Sequence, residues 1–203
     1  PVSIVVLISV FKEGIEDYKR TQADVKVNTR PAQLVCTDGS ITTKQWQDLQ
    51  VGSVVLLRCD EEISADIVIL ASGGISGTTA YVETAAIDGE TNLKIRLPAL
   101  SKEEKGSDPN EPGKFSYDSS IVVSADKDKV AGIEALRVNV QAEAPNSSIH
   151  HFDGSAEFTD AGGVAHKSTL SEKNLLLRGA VVRATEWCVG MVVYTGGQTK
   201  LSL

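Results

Sequence analysis

The chain has 203 residues, 41% of them hydrophobic and 23% charged, with 17 glycines, which is the composition of a folded domain and excludes wholesale disorder. A chain of this length buries about 70% of the surface its unfolded form exposes, enough for a sizeable core. The net charge is −7 with a pI near 5.0, and the 20 Lys and Arg are scattered from Lys12 to Lys200, so the dense basic footprint of a nucleic-acid binder is missing.

The chain opens on PVSIVVLISVF. The apolar run from Val2 to Phe11 is half of the roughly 20 residues that cross a bilayer, and it lacks the basic start and cleavage site of a signal peptide. It reads as a buried strand, from its Val and Ile content, or as the last turns of a membrane helix. Phe11, Ile15 and Tyr18 then recur at helical spacing with charges between them. The run is therefore expected to pass into an amphipathic helix that ends near Ala23, the pattern of a helix leaving a membrane.

From Asp24 to Arg96 the texture changes to short β-like runs, VKVN, AQLVCTDGS, SVVLLRC, DIVILAS and AYVET, broken by turn residues. Asp38-Gly39 and Asp88-Gly89 are turn signals, and SGGISG (Ser72–Gly77) separates two strands as a hairpin connection. That cluster lacks the Gly-Lys-Ser/Thr ending of a phosphate-binding loop. Residues Ser101–Ser120 are polar and rich in Pro, Gly and Ser, and predict a mobile surface loop. A short helix is expected around Asp126–Leu136. Strands resume with LRVNVQAEA, SAEFTD, NLLLRGAVVRAT and CVGMVVYTG. The fold class is mainly β with a few helices, without an internal repeat.

Few residues suggest chemistry. Cys36, Cys59 and Cys188 are odd in number and lack Cys-x-x-Cys spacing, which argues against a disulfide framework or a zinc site and for a reducing compartment. The Asn146-Ser147-Ser148 triplet is a turn rather than a used glycosylation site. His150 and His151 point to opposite faces of any strand, and with His166 they read as surface histidines. No nucleophile elbow is present. The stretch YVETAAIDGETNLKIR is different: it sets Glu90 beside Gly89, which leaves approach open, and Thr91, whose hydroxyl can donate a hydrogen bond. Such a carboxylate is placed to reach into another domain and orient a water molecule. From spacing alone, a plain hairpin turn carrying a solvated charge is the other reading.

The segment DGETNLK (Asp88–Lys94) resembles the signature of the actuator domain of type-IV P-type ATPases, the phospholipid flippases. IEDYKR (Ile15–Arg20) with Val27-Asn28, ADIVILAS, YVETAAIDGETNLK, EAPNSSIHHFDG and NLLLRGAVVRATEWCVGMVVYTGGQTK resemble further parts of that domain, covering nearly the whole chain. Cation pumps of the superfamily usually carry Thr-Gly-Glu at this loop, so Asp88 points to the lipid branch. Two departures stand out: Ser64-Ala65-Asp66 where the family usually has Pro-Ala-Asp, and Arg183-Ala184-Thr185-Glu186-Trp187 where it usually has Arg-Asn-Thr-Glu-Trp.

The resemblance implies a distorted β jelly roll, residues 24–203, on a helical stalk, residues 1–23, that ends the second membrane helix, with a polar insert at about 101–120. It implies the cytosolic actuator of a multi-pass membrane protein whose other domains bind ATP and Mg²⁺ and carry the phosphorylated aspartate of an Asp-Lys-Thr-Gly-Thr motif. That motif does not occur in these residues. The isolated chain is accordingly expected to be inactive, to bind no cofactor or metal, and to work with the phosphorylation and nucleotide-binding domains, an accessory membrane subunit and a phospholipid held by the membrane domain. In that scheme Glu90 positions and polarises the water that hydrolyses the aspartyl phosphate, Gly89 permits close backbone approach, and Asp88 and Thr91 shape the loop. Competing readings are a cation-pump actuator and a non-catalytic β-sandwich binding module.

Overall fold

A computed structural model describes residues 2–73, 79–99, 101–104, 114–117, 121–123, 129–133, 137–159 and 165–203. Helix α1 runs over Val2–Asn28. The apolar start is thus helical and not a strand, and the helix continues past Ala23 through VKVN. Val25 and Val27 favour strands in isolation, but extending an existing helix costs a β-branched residue only about 0.5 kcal/mol, and each added turn gains its hydrogen bonds. The stop comes from Pro31, which disfavours helical backbone at Arg30. Thr29 closes the end, its Oγ1 donating to the Val25 carbonyl at 2.8 Å. Ile4, Leu7, Ile8 and Phe11 are 62–73% exposed along this helix. No helix among the described residues is long and apolar enough to cross a membrane.

The body is built from antiparallel sheets. In chain order the strands are β1 (Pro31–Val35), β2 (Ile41–Gln45), β3 (Val54–Arg58), β4 (Asp66–Gly73), β5 (Ala80–Glu83), then the single helical turn α2 (Ala85–Asp88), β6 (Lys94–Arg96), β7 (Ser101–Glu104), β8 (Lys114–Tyr117), β9 (Val122–Val123), β10 (Val130–Ala131), β11 (Arg137–Ala142), β12 (Gly154–Thr159), β13 (Ala165–Leu170), β14 (Leu175–Leu176), β15 (Val181–Arg183) and β16 (Trp187–Tyr194). The main sheet has the order β14-β4-β16-β3-β1-β2, and smaller sheets are β15-β5-β6 and β11-β12-β13. The fold is mainly β, as expected of a jelly-roll actuator.

Strand β4 explains the centre. Its run Ile67–Ala71 is apolar throughout because both faces are covered. Ile67 and Ile69 pack into one cluster with Val55, Leu57 and Val192, Val68 packs into a second with Phe152 and Tyr194, and Leu70 into a third with Leu56 and Val189. Beside it, β16 bulges between Val189 and Gly190, and a Cβ on Gly190 would stand 2.4 Å from Ile67, so only glycine fits that crossing.

Asp38-Gly39 does form the β1–β2 hairpin, with Gly39 at φ 77°. Three other expectations change. Ser72–Gly77 separates strands that join different sheets: β4 pairs with β14 and β16, and β5 with β6 and β15, so β4 and β5 form no hairpin; residues 74–78 lie outside the described ones. The polar stretch expected as a mobile loop has paired ends, β7 against β8 in register from Ser101↔Tyr117 to Glu104↔Lys114; residues 105–113 and 118–120 are not described. Within the expected helix at Asp126–Leu136, the described residues 129–133 form a bridge, strand β10 and a turn, because Val130 and Ala131 pair with β9.

Candidate functional site

Strands β5 and β6 are antiparallel neighbours, with Val82 opposite Lys94, and the loop Thr84–Leu93 joins them. Its first half is α2, closed by the Gly89 N–H donating to the Ala85 carbonyl at 3.1 Å. Gly89 has φ 76°, the left-handed cap conformation that costs other residues about 1 kcal/mol or more, and open space surrounds its Cα. Asp88-Gly89 is therefore a helix C-terminus and not a two-residue hairpin turn. Ile87, packed against the clusters that hold Ile67 and Val68, ties the loop to the core.

Asp88 organises the second half of the loop. Its carboxylate accepts the buried Thr84 hydroxyl at 3.0 and 3.1 Å, the Glu90 backbone N–H at 3.0 Å and the Lys94 ammonium at 2.5 Å. The Lys94 ammonium, then the Glu90 N–H, hold the Asp88 carboxyl down at about 2, and the same partnership pushes Lys94 upward. The Asp88 side chain is 12% exposed and that of Lys94 21%, whereas Glu90 is 60% exposed with its Oε2 3.0 Å from Lys94 Nζ. Glu90 and Thr91 thus stand outward at the tip, with Gly89 between Asp88 and Glu90. The four residues singled out from sequence come together as one loop. Thr84 and Lys94 were missed; their signal was spacing, Thr84 to Asp88 and Glu90 to Lys94 each being four apart.

The supporting strands are fixed from both sides. On β15, Arg183 Nε meets Glu83 at 2.8 Å and its other end meets Asp60, which raises the guanidinium above its ordinary value. The buried Thr185 hydroxyl accepts the Tyr81 N–H and donates to the Arg183 carbonyl, both at 2.9 Å. Beyond β6, the Leu97 N–H donates to the Lys173 carbonyl, and Asn174 Nδ2 to the Leu97 carbonyl at 2.9 Å.

Other candidates hold no comparable arrangement. His150 and His151 are exposed, His151 lying 3.3 Å from Asp153, and His166 stacks on Phe158 at 5.0 Å. Asn146 forms the expected turn, its Oδ1 accepting the Ser148 N–H at 3.1 Å. Among the described residues no group of three His, Cys, Asp or Glu side chains is placed to hold a metal ion, and the loop's carboxylates converge on a lysine.

Residues 26–203, the β framework and its Asp88–Thr91 loop included, match the P-type ATPase actuator domain family. Nearly the whole chain also aligns with phospholipid-transporting ATPases. It is 32% identical over 99% of its length to phospholipid-transporting ATPase FetA of Mus musculus, 35% over 99% to phospholipid-transporting ATPase IK of Homo sapiens, and 33% over 98% to phospholipid-transporting ATPase DRS2 of Saccharomyces cerevisiae. It spans 13–15% of the length of these relatives. The chain belongs to the P-type ATPase actuator-domain family, in the type-IV branch to which these relatives belong.

Proposed function

We propose that the chain is the cytosolic actuator domain of an ATP-driven phospholipid translocase and that its Asp88–Thr91 loop promotes hydrolysis of an aspartyl phosphate on another domain of the same protein. The observation that carries this reading is the exposed Glu90 carboxylate, held by Lys94 on a loop whose ends are fixed by two strands. In the reaction, the oxygen of a water attacks phosphorus while Glu90 accepts its proton. The bond from phosphorus to the aspartyl oxygen breaks, and aspartate leaves as carboxylate. A positioned general base contributes roughly 10²–10⁴-fold to such a step. Gly89, with no side chain, lets the phosphoryl group approach the backbone, and Asp88 fixes the loop.

ATP and Mg²⁺ act in the parent's other domains. The apolar face of α1 from Ile4 to Phe11 is exposed and gives way to charges from Lys12 onward, which supports a stalk at 1–23 continuing from a membrane span. Rotation of the body about that stalk would couple dephosphorylation to lipid movement, helped by an accessory membrane subunit. The second reading, a cation-pump actuator, shares this chemistry; Asp88 in the loop and the likeness to phospholipid-transporting relatives favour lipid.

The test uses the full-length parent, phosphorylated with radioactive Mg-ATP and followed after adding phospholipids. Loss of label in the wild type on adding one lipid, with Glu90→Gln retaining it, is the expected result. Equal decay in both withdraws the catalytic role, and stimulation by a cation in place of a lipid favours the second reading.

A further inference from the structure

A lysine ammonium on a four-carbon stem is normally mobile and strongly hydrated. Lys94 is not: its Nζ lies 2.5 Å from Asp88 Oδ2 and 3.0 Å from Glu90 Oε2, and its side chain is only 21% exposed. Asp88 is itself fixed by the Thr84 hydroxyl at the end of β5 and by the Glu90 N–H. The ammonium is therefore pinned to the framework at one point and offers a stationary counter-charge to Glu90 at the other.

We propose that Lys94 is the positioning residue of this loop, its framework-pinned ammonium holding the Glu90 carboxylate in the orientation from which it acts on water. This rests on the role given to Glu90 above. It assigns work to a residue outside the Asp88–Thr91 stretch and separates two tasks: Asp88 anchors the lysine, and the lysine aims Glu90. Asp88 and Lys94 are the charged groups bonded into the loop around Glu90. Beyond them, Arg96 of β6 lies within electrostatic reach of both Asp88 and Glu172 of the neighbouring 3-10 turn. Removing the ammonium leaves the Glu90 carboxylate beside that of Asp88 with no cation between them, so that contact no longer sets its direction.

The experiment measures phosphoenzyme decay in the full-length parent for wild type, Lys94→Met, Lys94→Arg, Glu90→Gln and the double variant Lys94→Met/Glu90→Gln. The expected result is that Lys94→Met still forms phosphoenzyme from ATP but dephosphorylates about tenfold or more slowly, and that it adds no further loss once Glu90 is Gln. Lys94→Arg recovers most of the rate because it restores a cation between the two carboxylates. A Lys94→Met loss that adds in full to that of Glu90→Gln, or a Lys94→Met as fast as wild type while Glu90→Gln is slow, overturns the proposal and leaves the role of Glu90 standing. Glu90→Gln decaying like wild type removes that role and this proposal with it. Should Lys94→Met fail to fold, Lys94→Gln is read by the same criteria.

Discussion

Two aspartates of this domain accept backbone N–H groups beside a lysine, and their carboxyls are driven in opposite directions. At the loop, Asp88 takes the Glu90 N–H and the Lys94 ammonium, and its carboxyl is held at about 2. In the core, Asp66 takes the Arg178 N–H at 2.9 Å and the Lys200 N–H at 2.7 Å, yet burial pushes its carboxyl above the ordinary value. The partners are similar in number; solvent access differs. Lys200 turns its own ammonium away to Glu143 at 3.2 Å and Asn146 at 2.8 Å, while Lys94 gives its ammonium directly to Asp88. One cluster fastens distant segments in a dry interior, and the other leaves the Glu90 carboxylate in water at a loop tip.

The largest way to break the comparison is Asp66→Ala. It strands two backbone donors, one of them fully buried, at about 1–3 kcal/mol each, so a loss of roughly 2–6 kcal/mol is expected from urea unfolding. That is a large fraction of a typical domain's stability. Asp88→Ala at the loop, where water can replace the lost partners, should shift the urea midpoint far less. Equal shifts would mean that burial is not what separates the two sites.

A smaller effect sharpens the same contrast through pH. Asp88 has a folded value near 2, below its ordinary value of 3.8, so its contribution to stability is complete above about pH 4 and is lost as pH falls toward 2. Asp66 has the reverse sign: its folded value is raised, the fold favours the protonated acid, and its contribution declines as pH rises from the ordinary carboxylate value through the raised one. The stability gap between wild type and Asp88→Asn should therefore close between pH 4 and 2. In Asp66→Asn the decline with rising pH that Asp66 causes should disappear. Urea midpoints from pH 2 to 7 measure both, and slopes of the same sign would contradict the assignment.

What the sequence disclosed obeys the same division between local and distant. Asp38-Gly39 announced its hairpin and DIVILAS announced strand β4, because each signal lies within a few neighbours. The Asp88–Thr91 loop was legible as a loop through its acids and glycine, but its helical turn was not, since four residues carry little periodicity. VKVN read as a strand because β-branched propensity was weighed without the helix already running into it. Ser72–Gly77 read as a hairpin because turn residues do not reveal which sheet each flanking strand joins. The Asp66–Lys200 bond spans 134 positions, and nothing in either neighbourhood announces it.

Ala184 offers the mildest test, on the loop's side of the comparison. It comes directly after Arg183, whose guanidinium holds Glu83 at the end of β5, and it stands at φ 47°. That left-handed conformation crowds the Cβ of alanine against its own backbone, whereas asparagine tolerates it through local hydrogen bonding. The family pattern has asparagine here, and Ala184 is exposed, so the larger side chain meets solvent. Ala184→Asn should raise stability by about 0.5–1 kcal/mol, read as an increase in urea midpoint with unchanged slope. The gain acts on backbone strain and not on ions, so it should be the same at pH 3 and pH 7. A gain that vanished at low pH would instead tie it to the Arg183, Glu83 and Asp60 charges and would sink the assignment to backbone strain.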